Sequence, residues 1–155
     1  MFRFRSHPES ENEVRQVDRD ELTYALFAAM RGWSVSVRRS LFGRTGEAEL
    51  WRAIVGKQVS HSLRIYDFID GSGEALGEDG RHELFARAID GFPGAVGKLW
   101  LSPEQARQRD ARLAASVLLY RALERYEVLT AGPYGATLGF PTITAPDYAF
   151  APTWP

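Results

Sequence analysis

The chain has 155 residues, 45% hydrophobic, 25% charged and 12% aromatic, and 19 lysines and arginines against 20 acidic residues leave a formal net charge of −1. This length suits one domain, and the balance excludes a collagen-like chain, a wholly disordered one and a strongly basic nucleic-acid-coating protein. With no cysteine there is no disulfide, thiolate zinc site, iron–sulfur cluster or cysteine nucleophile.

Residues 1–17 read as an N-terminal arm. It opens with the alternation Phe2-Arg3-Phe4-Arg5, the pattern of a short edge strand, and turns polar from Pro8 to Glu13. It lacks the apolar core of a signal peptide, and the longest apolar run, Leu113 to Tyr120, is far short of the ~20 residues that span a bilayer. A soluble, cytoplasmic protein without membrane partners is the expectation. The first helix starts at Asp18, where Asp18 and Glu21 have capping-box spacing, and continues through the stripe Leu22, Leu26, Met30, Trp33, Val37 and Leu41 to a stop at Gly43. Gly32 weakens it by about 1 kcal/mol and Trp33-Ser34-Val35-Ser36-Val37 also reads as a strand, so a break near Gly32 is the alternative to one continuous helix.

A second helix is predicted from Gly46 to Asp70, capped by Thr45, with Leu50, Trp51, Ile54, Val55, Ile65, Phe68 and Ile69 in one apolar arc. Residues 71–80 hold four glycines and read as an exposed, mobile loop. A helix from Arg81 to Asp90 presents Leu84, Phe85, Ala88 and Ile89, stops at Gly91, and leads into an irregular connection over residues 92–97. Ser102-Pro103-Glu104-Gln105 is the strongest helix start in the chain, opening a helix to about Val128. Leu113–Tyr120 is apolar on all sides and marks it as the central element.

From Thr130 to Pro155 the chain holds five of its eight prolines, five aromatics and a single charge, Asp147. Such a segment forms neither helix nor long strand, and its aromatic content requires an apolar surface to lie against, either its own bundle or another chain. The expected fold is therefore mainly α: a bundle of about four helices over residues 18–129, with an extended Pro/aromatic-rich C-terminal arm over 130–155. Minor β structure would follow at the termini if Phe2–Arg5 paired with Thr137–Thr144.

Three groups of residues are candidates for function. Gln58, His61 and Ser62 fall inside the apolar arc of the second helix, where they form either a small ligand pocket or a buried polar network that fixes register. Arg38, Arg39 and Arg44 surround a helix–turn–helix stretch and are the candidate nucleic-acid contacts, although a balanced net charge does not favour DNA as a partner. Tyr134, Phe140, Tyr148, Phe150 and Trp154 are the candidate anchors of an arm that docks on an identical or a different subunit. No Glu-x-x-His pairs, Gly-x-Ser-x-Gly elbow, P-loop or dinucleotide fingerprint occurs, so no metal, cofactor or catalytic residue is assigned.

One local resemblance remains. Arg52-Ala53-Ile54-Val55-Gly56-Lys57-Gln58-Val59-Ser60 resembles a helix of the helix–hairpin–helix DNA glycosylases, and Phe92-Pro93-Gly94-Ala95-Val96-Gly97 is similar to that family's hairpin, which would make Asp110 the catalytic carboxylate. The hairpin holds an extra residue between its glycines, and the flanking intervals are too short for the family's intervening helices. The expected function is accordingly non-catalytic: a structural or adaptor protein that assembles through its C-terminal arm, organised like the arm-bearing helical subunits of phage connectors. A small-ligand or enzymatic pocket and a helical DNA-binding protein are the alternatives.

Overall fold

A computed structural model describes residues 14–43, 46–131 and 139–150. Among these the chain is mainly helical, with six α-helices and one small antiparallel sheet. In chain order the elements are β1 (Arg15–Gln16), α1 (Arg19–Ala29), α2 (Val35–Phe42), α3 (Ala48–Ser62), β2 (Tyr66–Ile69), α4 (Glu78–Asp90), α5 (Gly94–Leu101), α6 (Gln105–Leu123), β3 (Glu127–Thr130) and a 3-10 turn at Asp147–Phe150. No helix among the described residues is long and apolar enough to cross a membrane.

The first periodic stretch divides at Gly32. Asp18 caps α1 by accepting the Glu21 N–H at 2.9 Å, and Ser34 opens α2 by accepting the Val37 N–H at 3.2 Å. Leu22, Leu26, Met30, Trp33 and Leu41 are buried, so the break redirects the backbone while the stripe still faces the core.

The predicted helix 46–70 ends at Ser62. Leu63 N–H turns back on the carbonyls of Val59 and Ser60, and Tyr66–Ile69 becomes a strand whose side chains alternate inward and outward. The expected apolar arc is corrected with it. Leu50, Ile54 and Ile65 are 61%, 42% and 61% exposed, and the buried face of α3 is Val55, Val59 and Leu63. Gly56 sets that face: a Cβ there would stand 2.9 Å from the His82 carbonyl oxygen, so α3 and α4 meet at nearly backbone distance.

The segment expected to be an exposed loop contributes its last three residues, Glu78–Gly80, to α4, and the expected irregular connection at 92–97 is mostly the helix α5. Pro93 precedes α5, which buries Ala95, Val96, Leu99 and Trp100. The α6 helix is central, as its all-round apolar character implies, and it packs against α1, α4 and α5. Ala111, Ala114, Ala115, Ser116 and Leu119 are wholly buried, and the Ser116 hydroxyl is satisfied by the Arg112 carbonyl at 2.8 Å. The helix stops at Leu123, short of Val128, because residues 127–130 leave to form the middle strand.

The sheet order is β1-β3-β2, with Arg15 and Tyr66 both opposite Thr130. Glu21, buried at the N-terminal end of α1, accepts two hydrogen bonds from Arg15, at 2.8 and 3.0 Å, and one from the Tyr66 hydroxyl at 3.1 Å. Three elements are thereby tied through one carboxylate.

The described part of the C-terminal arm lies on its own bundle. Ile143 and Ala149 are buried, the Phe140 ring meets Tyr24 at 5.6 Å, and Arg121 sits over Phe150 at 5.3 Å. Tyr148 donates to the Asp110 carboxylate, which holds the phenol above its ordinary pKa. Residues 139–144 form no strand, while the Phe2–Arg5 alternation and residues 137–138 lie outside the described residues.

Candidate anion-binding site

The end of α1, the turn into α2, the end of α5 and the first turns of α6 enclose an open groove of about 400 Å³. Its floor is apolar: Phe27, Met30, Trp33 and Trp100, with the two tryptophan rings stacked at 4.9 Å. Its rim is cationic: Arg31, Arg38, Arg109 and Arg112, joined by Gln105 and Gln108. A second groove of about 260 Å³ shares Arg38 and Gln108 and adds Arg39. Five arginines thus line one continuous surface, and no carboxylate of the described residues lines either groove.

Two of these arginines are held in place. Arg112 lies flat over Phe27, 3.5 Å from the ring centre, and its Nε donates to the Phe27 carbonyl at 2.8 Å. Burial, and next the positive charges of Arg31 and Arg109, pull its pKa below the ordinary guanidinium value. Like charges gathered with no ion-paired carboxylate among the described residues favour an anion between them, and guanidinium groups already fixed by packing lose little freedom on binding one. Arg38 donates to the Trp100 carbonyl at 2.8 Å and to the Ser34 carbonyl at 3.3 Å, which bridges α2 to α5.

Trp33 is oriented from behind. Its Nε1 donates to Gln58 at 2.9 Å; the Gln58 amide donates to the Ala29 carbonyl at 2.9 Å and to Ser62 Oγ at 3.1 Å, and that hydroxyl donates to the Gln58 carbonyl at 3.1 Å. The structure therefore brings Gln58 and Ser62 together as a brace for Trp33, but all three of Gln58, His61 and Ser62 are exposed and none faces the core. His61 is on another side of α3, beside Lys57, Arg64 and His82.

Of the candidate nucleic-acid contacts, Arg38 and Arg39 line the grooves, and Arg44 lies outside the described residues. Among the candidate arm anchors, Phe140 and Phe150 pack on the bundle, Tyr148 is 37% exposed, and Tyr134 and Trp154 lie outside the described residues. Asp110 accepts the Tyr148 hydroxyl, and Gly94–Gly97, four of the six residues of the hairpin-like stretch, are helical.

Sequence reasoning missed Arg31, Arg109 and Arg112. Half of the signal was there: between Glu21 and Glu47 the chain has no acidic residue but carries Arg31, Arg38, Arg39 and Arg44. The other half comes from α6, which only tertiary packing brings alongside. No family model, curated protein or solved structure matches the chain.

Proposed function

We propose that this is a non-catalytic binding protein that holds the phosphate backbone of a nucleic acid along the arginine-lined grooves. The observation that carries this reading is the five-arginine surface with no carboxylate of the described residues on it. Phosphate contacts supply most of the sequence-independent affinity for nucleic acid, and arginine presents two parallel donors to a phosphate. Trp33 and Trp100 are 8% and 3% exposed, so neither offers a ring face on which a base can stack. Recognition is therefore of the backbone, without sequence preference.

Net charge does not weigh against this reading once charge is located. The stretch 22–46 carries arginines only, whereas residues 67–83 carry six carboxylates and one arginine. Assembly through the C-terminal arm would compete with contacts to the chain's own bundle, since Phe140 and Phe150 pack on it and Tyr148 donates to Asp110.

The test is fluorescence anisotropy of labelled single-stranded and duplex oligonucleotides between 50 and 200 mM salt. The double variant Arg31→Ala, Arg109→Ala should lose about tenfold or more in affinity and reduce the salt slope by about 2, with thermal stability unchanged. Binding that ignores both substitutions would overturn the reading, and capture of an acidic peptide in place of either oligonucleotide would transfer the surface to a protein partner.

A further inference from the structure

A second cavity, of about 470 Å³, lies between the C-terminal half of α3 and the first turns of α4, away from the arginine-rich face. Lys57, His61 and Arg64 line it from α3 and the turn beyond; Glu78, Arg81 and His82 line it from α4. Three cations and two histidines face one carboxylate there.

Arg81 is the informative member. It is 9% exposed, and its three hydrogen bonds go to neutral carbonyls, to Tyr66 at 2.6 Å, Leu63 at 2.8 Å and Ser60 at 3.4 Å. Its guanidinium also lies over the Phe68 ring at 4.6 Å. Among the described residues no carboxylate lies within ion-pair distance of it, and the acidic charge that acts on it, Asp67, stands farther off. Burying a charge is costly unless an opposite charge comes to it, and this one borders an open cavity rimmed by further cations.

We infer that this cavity binds a small phosphorylated molecule, its phosphate seated among Lys57, Arg64, Arg81 and the two histidines. The size suits a ligand somewhat larger than the phosphate itself. Leu76, also on the wall, offers apolar contact to the rest of it. His61 and His82 offer ring N–H donors to the phosphate, whereas the Glu78 carboxylate on the same wall opposes the anion.

Amide NMR titration of the full chain with inorganic phosphate at pH 6 tests this. The expected result is saturable shifts confined to residues 57–64 and 78–82. The double variant Lys57→Gln, Arg64→Gln, which spares the buried Arg81, should weaken binding about tenfold. Arg109→Ala should leave it unchanged, which separates this site from the nucleic-acid surface. Shifts that fail to saturate, that centre on the arginine grooves, or that survive Lys57→Gln, Arg64→Gln would overturn the inference.

Discussion

The cluster around Glu21 shows how a single side chain fixes the joint between sheet and helices. Burial, and then the neighbouring Glu21 charge and its hydrogen bond, push the Tyr66 phenol well above its ordinary pKa of about 10. Raised in the folded state, that pKa contributes stability fully present below about pH 10 and lost as the pH rises further, because the unfolded chain ionises first. Tyr66→Phe should cost about 2 kcal/mol at neutral pH through the bond lost to a charged acceptor. The difference between the two proteins should shrink above pH 10, which denaturant unfolding from pH 8 to 11 will check. Gln58 has a comparable role at Trp33. An amide inside a predicted apolar arc was visible in the sequence, but its partner, an indole 25 residues earlier, was not.

At the scale of elements, close approach between helices gives the clearest prediction. Gly56→Ala should destabilise by more than about 1 kcal/mol despite the better helix propensity of alanine, because its Cβ would meet the His82 carbonyl oxygen at 2.9 Å and Ala86 N at 3.0 Å. Gly32→Ala has nothing within 4 Å and should be neutral or stabilise by up to about 1 kcal/mol. Thermal unfolding of both variants provides the comparison. The same pair of elements explains what the sequence made legible. The α1–α2 stripe and the central position of α6 follow from apolar spacing alone, whereas that unbroken spacing predicts one helix where there are two, and only Gly32 hinted at the break. The phase of α3 did not, because Ile65, Phe68 and Ile69 were placed on the wheel of a helix to which they do not belong and drew its apolar centre away from Val59. Four-residue strands whose partners stand some 60 positions apart carry too little local pattern to be separated from a neighbouring helix. The groove was legible only where its arginines are adjacent in sequence.

Across the whole molecule, charge is segregated more than it is scarce. A chain with a formal net charge of −1 and a sequence pI near 6.3 would ordinarily pass through a cation exchanger at pH 7.5. The arginine face should instead hold it on phosphocellulose at low salt, and Arg31→Glu with Arg109→Glu should release it in the void volume. Such retention measures the local field and not the average one. The sheet has a different consequence, for the order in which the chain can be completed. Its middle strand, β3, is the last of the three to be synthesised, and each outer strand of the sheet pairs with it and not with the other. Until Thr130 leaves the ribosome, β1 and β2 have no strand to join, and the helices that precede it must gather without the sheet that later fastens Arg15 beside Tyr66.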